Sequence, residues 1–448
     1  MSDCTRCSFQ EKIDWLRRQF ARHASLPFSE VLPACVIVAC LQSLGLRFYD
    51  SIDHPVTVLW LFLSQVIHPN PTLAVTVESF LAWRLGQGMS PCSTDTGAYA
   101  KARLRLPEAL LAVLTRHTGR EAEHGALGSW RWLGRAVKLF DGSTVSMPDT
   151  QENQNAFPQS RAQARGVGFP LARIGVLFSL SVGTVLDLGI RRWAGKFQSE
   201  LSMLRDMIPT LEAGDVLLTD RYLCSSMEIA LLQRQGVDFV GRIHARRKVD
   251  FRRGRRFGPN DHGVEWAKPA RPEWMSPEEY AAMPETLSIR EFRCRIARPG
   301  YRTRTIVVAT TLLDAESYSR EEIAKLYRCR WDAELDLRNI KISLQMDDLR
   351  GQTPEMVRRE IWVHWLAYNL IRKTVAQAAL VHEKLPRQLS FVAALAAAQF
   401  RVIAWHQVGD RPNRVEPRAI KRHPKPHPWL RQPRHEARAR LCGSSPTP

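Results

Sequence analysis

No stretch of the chain approaches the roughly 20 consecutive apolar residues that a membrane-spanning helix needs. The best candidates are Val31–Leu46 and Val56–Ile67; Pro33 interrupts the first and the second is only 12 residues long. Both read as buried helices. The opening residues, MSDCTRCSFQEKID, show no signal-peptide pattern. A disulfide framework is also missing. The nine cysteines are an odd number scattered over 448 residues, which fits a reducing cytoplasm. Cys4 and Cys7 form a lone C-x-x-C with no second pair of like spacing, so free thiols are the expectation rather than a zinc site. No period of 20–50 residues recurs, which excludes a solenoid.

Positive charge is plentiful instead. Lys and Arg number 64 against 45 Asp and Glu, a formal net charge of +19. Such an excess favours an extended acidic partner, nucleic acid ahead of an anionic membrane surface. At about 150 residues per domain the length suggests roughly two to three domains.

Hydrophobic periodicity divides the chain. Residues 1–130 read as an α-helical, DNA-binding domain. Ser8 and Glu11 make a capping box before Phe9, Ile13, Leu16 and Phe20. Val77, Phe80, Leu81 and Leu85 mark a further helix closed by Gly86 and Gly88. A polar turn then leads to a segment with Lys101, Arg103 and Arg105, and a helix starts at Pro107. Helix, turn and basic helix suit a helix-turn-helix reader. From residue 131 to 242 the pattern becomes strand (Ala136–Phe140, ending at Asp141), hairpin (Arg173–Val182 and Val185–Ile190 about Gly183-Thr184), helix, strand (Asp215–Thr219, ending at Asp220), helix, strand (Val237–Arg242). That order predicts an α/β fold, a mixed sheet with helical crossovers compatible with a ribonuclease H-like core. Residues 243–310 read as a β-rich basic insertion. Arg242–Arg256 holds eight Lys and Arg against one acid, Asp250, more than a solvated edge strand requires. Residues 311–405 resume the core. There Thr353-Pro354-Glu355 opens a helix whose buried face is Val357, Ile361, Trp365 and Tyr368. Residues 406–448 form a basic, proline-rich tail; 411–440 carry ten Lys and Arg, two Glu and six Pro, too little apolar surface for a core.

The chemistry gathers at three carboxylates. Asp141 and Asp220 each close a predicted strand, where sites form in open α/β sheets. Glu334 lies in YRCRWDAELDLRNIKISL with Tyr327, Arg330 and Lys341 at offsets that share one helical face. One reading is a surface stripe with an Arg330–Glu334 ion pair worth about 0.3–0.5 kcal/mol. The other is an acid held beside a phosphodiester clamp of guanidinium, ammonium and tyrosyl hydroxyl. Three converging carboxylates need a cation, and oxygen-only ligands suit Mg²⁺ or Mn²⁺.

Tyr327-x2-Arg330-x3-Glu334-x6-Lys341 resembles the signature of bacterial DDE transposases of the insertion sequence 4 family. Phe140-Asp141-Gly-Ser-Thr resembles the segment around that family's first catalytic Asp. Thr219-Asp220-Arg221-Tyr222-Leu-Cys-Ser resembles the segment around its second, with Tyr222-Leu223 in place of Gly-Phe. The separations of 79 residues from Asp141 to Asp220 and 114 from Asp220 to Glu334 also fit. The resemblance covers residues 135–375. It implies that Asp141, Asp220 and Glu334 are catalytic and hold two Mg²⁺ ions, with Mn²⁺ able to substitute. It implies that Tyr327, Arg330 and Lys341 bind DNA phosphates. The activity implied is cut-and-paste transposition: hydrolysis at transposon terminal inverted repeats, then transesterification by the 3′-hydroxyl into target DNA. The implied partners are double-stranded DNA and a second copy in a synaptic homodimer, with no membrane, in a bacterial cytoplasm at the nucleoid. Some relatives flip a base onto a tryptophan of the insertion; Trp266 and Trp274 both lie in that region, and either reads equally well as a packing residue, so neither is placed in the site. The alternatives are an inactive relative that binds the ends and a structure-specific nuclease of the same fold.

Overall fold

The computed structural model describes residues 28–46, 54–162, 164, 166–298 and 301–407. The expected capping box at Ser8, the Cys4–Cys7 pair and the basic tail lie outside them.

Five helices come first: α1 (Ala34–Ser43), α2 (Pro55–Ile67), α3 (Leu73–Gly86), α4 (Thr96–Arg105) and α5 (Glu108–His124). Their caps are local. Thr72 Oγ1 accepts from Val75 N–H, and Asp95 Oδ1 from Gly97 N–H, satisfying orphan donors of the first turn. Helix α2 is buried along nearly its whole length, so its apolar run is core. In α3, Val77 and Phe80 are buried but Leu85 is 52% exposed. The helix-turn-helix expectation also changes in detail. Arg103 does not face outward. Its guanidinium lies over the Phe62 and Tyr99 rings at 4.9 and 5.3 Å and donates to Gln65 Oε1. A cation on two aromatic faces is stabilised where it sits, which leaves Lys101 and Arg105 exposed on α4.

The rest is built on one nine-stranded sheet: β1 (Val137–Ser146), β2 (Leu171–Ser179), β3 (Val185–Arg192), β4 (Val216–Thr219), β5 (Asp238–Arg242), β6 (Arg255–Gly258), β7 (Asp261–Ala267), β8 (Thr286–Arg298) and β9 (Tyr301–Thr310). Their order is β3-β2-β1-β4-β5-β9-β8-β7-β6. Strands β1 to β3 are antiparallel neighbours, β4 and β5 run parallel to β1, and β9 returns antiparallel to β5. The insertion strands therefore extend the same sheet. Gly183 (φ +79°) turns the β2–β3 hairpin and Gly236 (φ +74°) ends the helix before β5, both conformations that a side chain resists.

The remaining helices are α6 (Gln151–Ala156), α7 (Glu200–Met207), α8 (Ser226–Arg234), α9 (Pro277–Ala281), α10 (Arg320–Arg328), α11 (Trp331–Arg338), α12 (Pro354–Val381) and α13 (Phe391–Gln407). One apolar core joins α1–α5, α12 and α13 to one face of the sheet. A second joins α7 and α8 to the other face and runs into the insertion. Helix α12 is the spine. Val357, Ile361, Trp365 and Tyr368 are each 0% exposed. Its Asn369 donates to Thr115 O and Val185 O and accepts from Val185 N–H, which ties α5 to β3. No helix of the described residues is long and apolar enough to cross a membrane.

His364 on α12 gives the fold an acid-sensitive point. It is buried, its Nδ1 lies 2.8 Å from Glu360 O, and burial with the nearby Arg350 charge pushes its pKa down to about 4. An unfolded histidine titrates near 6.5, so between about pH 6.5 and 4 the unfolded chain takes up a proton that the fold refuses. Stability is expected to fall over that window by up to about 3 kcal/mol from this group. The buried Glu360 carboxyl, whose pKa burial raises, works in the opposite sense. Denaturant unfolding of the wild type and His364→Asn across pH 4–7 isolates the histidine, since Glu360 is common to both. Equal pH slopes would remove it from the account.

Candidate active site

Strand β1 delivers the first acid in an unexpected way. The sequence predicts a strand ending at Asp141, but β1 continues to Ser146, because residues 142–146 pair antiparallel with β2. Only 137–139 pair with β4. Asp141 therefore stands just beyond the parallel pairing, where β1 and β4 diverge, and its Oδ1 accepts from Gly142 N–H at 2.9 Å. Asp220 directly follows β4 as predicted, with Oδ1 accepting from Tyr222 and Leu223 N–H. That turn holds the Asp220 carboxylate at the strand end.

The third segment corrects a second expectation. Tyr327 to Lys341 is not one uniform helix. Between α10 and α11 the bonds tighten to the i−3 type, Arg330 N–H to Tyr327 O and Ala333 N–H to Arg330 O. After α11 they loosen into a π-helical turn, Asn339–Ser343. Tyr327 closes α10, Glu334 lies in α11 and Lys341 in the wide turn. All four still face one cleft of about 560 Å³ with Asp141, Gly142, Asp220, Arg221, Arg242, Leu337 and Arg338.

The signature side chains are already engaged. Arg330 Nη2 donates to Glu334 Oε1 at 2.7 Å, so the ion pair of the first reading is present. Lys341 Nζ donates to Thr144 O at 3.0 Å and lies 3.2 Å from Asp347 Oδ1. Tyr327 is 4% exposed, and burial raises its hydroxyl to about pKa 12. Asp141 is pushed up to about 6, first by burial and then by the negative charges of Glu334 and Asp220, against the Gly142 N–H and Arg330. Asp141 thus feels both other carboxylates. Among the described residues, however, no three acidic, histidine or cysteine groups stand close enough to hold a metal as they are. The donor set nonetheless has the chemistry of a hard-cation site: oxygen ligands only, in a cleft where crowding already disfavours the charged form.

Sequence reading missed Glu200. A Cβ on Gly142 would meet Glu200 Cδ at 2.5 Å, so this carboxylate from the first turn of α7 lies against the residue after Asp141. Burial raises its pKa and Asp220 adds to the rise. No spacing signal marks it, because the contact crosses from β1 to α7. The tryptophans are now placed. Trp266 is 3% exposed, donates to Glu291 Oε1 at 2.7 Å and lies under Arg247. Trp274 is half-buried beneath Arg205 at 4.0 Å.

Two aspartates from neighbouring strands and a glutamate from a later helix, set in one cleft, are the arrangement for which the DDE class is named. Residues 132–370 match the family described as "Transposase DDE domain". Over 300 residues the chain is 26% identical to the transposase InsG for insertion sequence element IS4 of Escherichia coli strain K12, covering 66% of this chain and 64% of that one. A 65-residue stretch is 38% identical to the putative transposase InsL for insertion sequence element IS186A of the same strain, 14% of this chain and 18% of the relative. The chain belongs to the DDE transposases of the insertion sequence 4 family. It spans about two thirds of the length of its IS4 relative. A piggyBac transposase synaptic complex with hairpin DNA aligns over 86% of this chain and 81% of its own at TM-score 0.45 and 8% identity, a likeness too slight to bear on the fold.

Proposed function

We propose that the chain is a DNA transposase. It binds terminal inverted repeats, hydrolyses a phosphodiester at each end and joins the freed 3′-hydroxyl to target DNA. The observation that carries this is the single cleft in which Asp141, Asp220 and Glu334 meet Arg330 and Lys341 within a chain of this family. We read strands β1 to β5 with α7, α8 and α11 as a ribonuclease H-like core, residues 131–242 and 311–405, interrupted by the 243–310 insertion. The helical 1–130 segment and the 406–448 tail supply further DNA contacts.

Asp141, Asp220 and Glu334 would hold divalent cations, Mg²⁺ or Mn²⁺, which when bound supply Lewis acidity and an activated water. The chain's own side chains do the positioning. Arg330, turned from Glu334, presents a guanidinium fork to non-bridging phosphate oxygens. Lys341 adds a point charge, with its reach fixed by the Thr144 carbonyl. Tyr327 keeps its hydroxyl protonated and so remains a donor. Two ends require two copies, so a synaptic homodimer is part of the proposal.

The test is a cleavage and joining assay on the purified protein, Mg²⁺ or Mn²⁺, and DNA carrying the inverted repeats that flank its coding sequence. Cuts at the repeat ends with joined product establish the transposase. Binding without cutting points to an inactive end-binder, and cutting without joining to a nuclease. Affinity should also fall steeply with salt. Neutralising six or more phosphates costs roughly a thousandfold between about 50 and 200 mM salt. A flat titration would contradict the basic DNA-binding surface.

A further inference from the structure

The segment joining β1 to β2, residues 147–170, has no part in the cleft. It forms α6 and walls a polar cavity of about 1000 Å³ whose lining includes Thr150, Gln151, Gln154, Asn155, Gln159 and Arg161. Four of its lining side chains are carboxamides, beside one guanidinium and the Asp149 carboxylate. Several are locked in place by the segment itself. Gln151 Nε2 donates to Asn155 Oδ1 at 2.8 Å, and Gln154 Nε2 to Asp149 Oδ1 and Gly168 O. Below them Asn153 is fully buried, with Nδ2 donating to Pro148 O and Gly351 O, while Thr150 Oγ1 donates to Gln352 O. The cavity wall is therefore anchored to the chain that follows Lys341. Among the described residues Asn155 Nδ2 has no protein partner and Arg161 no ion pair. Val167 and Phe169 on the same segment are 74% and 61% exposed.

A solvated loop needs neither pre-set amides nor a bare phenyl ring. Carboxamides and guanidinium are the side chains that pair bidentately with base edges, Asn and Gln with adenine and Arg with guanine, while an apolar group meets the thymine methyl. Resting on the transposase reading above, we infer that this cavity reads base edges of the bound duplex beside the cut. Asn155 and Gln151 contact adenine, Arg161 contacts guanine, and Phe169 lies against thymine. The segment leaves β1 at Ser146, five residues past Asp141, about 17 Å of strand at ~3.3 Å each, which brings it within reach of the base pairs that flank the cut.

The experiment uses the full chain and its own terminal repeat, with single base-pair substitutions placed within about ten pairs of the cut and, as controls, farther along the repeat. Binding by competition and cutting are scored separately. The wild type should lose roughly tenfold or more in affinity at one or two of those positions. Asn155→Ala and Arg161→Ala should abolish that discrimination there and leave it intact at the control positions. Arg161→Lys, which keeps the charge but not the fork, should keep the salt dependence and a reduced guanine preference. An Arg161→Ala variant that binds every sequence more weakly by the same factor, with the discrimination intact, would mean a phosphate contact and overturn the inference, as would variants with the wild-type pattern or a wild type indifferent at these positions. A protein that discriminates there but neither cuts nor joins would sink the transposase reading and leave the reader in place. Both substituted side chains are exposed, and an unchanged thermal melt confirms that each variant is folded.

Discussion

Glu334→Gln should still fold and still bind DNA, but strand cleavage should fall by about a thousandfold or more, equivalent to ~4 kcal/mol of transition-state stabilisation. Glu334 is 50% exposed, and its pair with Arg330 sits at the cleft mouth, so losing the pair costs at most about 1 kcal/mol of stability. Glutamine keeps the shape and loses the charge that a divalent cation requires. Two measurements separate the effects: a gel-shift titration, expected to be near wild type, and single-turnover cleavage with Mg²⁺, expected to be almost nil. Continued cutting would remove Glu334 from the chemistry. Asp141→Asn makes a sharper contrast. Burial and two neighbouring carboxylates already disfavour its charged form, so neutralising it should leave the fold at least as stable while ending cleavage.

Asp336→Ala should act on the fold instead, lowering stability by about 3–5 kcal/mol. Asp336 lies two residues past Glu334 and is 0% exposed. Its two oxygens accept from Arg372 Nη2 at 2.5 Å and Arg387 Nη2 at 2.9 Å. Arg387 also donates to Ser179 O and Leu180 O at the end of β2. Removing the carboxylate takes the acid partner from the buried Arg372 and leaves Arg387 only Asp332 at 3.9 Å, which is far costlier than losing a surface pair. Chemical denaturation gives the number. A loss below about 1 kcal/mol would show that water reaches and solvates the pair.

Much of this was legible in the sequence, and the exceptions share a cause. The element order from Asp141 to Arg242 apart from α6, the buried face of α12 and the Asp220 strand end all follow from local periodicity and turn chemistry. Where β1 ends did not, because Gly142-Ser143-Thr144 has no strand pattern and is held extended only by β2. The one-face argument for Tyr327, Arg330, Glu334 and Lys341 assumed 100° per residue throughout. The chain is overwound before Glu334 and underwound after it, yet still brings the four to one cleft. Arg103, Glu200 and Trp266 were beyond reach for the same reason: their partners are distant in sequence, and only packing reveals them.

The single continuous sheet has an engineering consequence. Trimming the chain to a minimal catalytic unit by excising residues 243–310 would take away β9, the neighbour that covers the outer edge of β5. The shortened protein would then carry a bare row of backbone donors and acceptors, a ready template for stray strands. A soluble truncation must keep β9, or cap β5 with a charge or a proline.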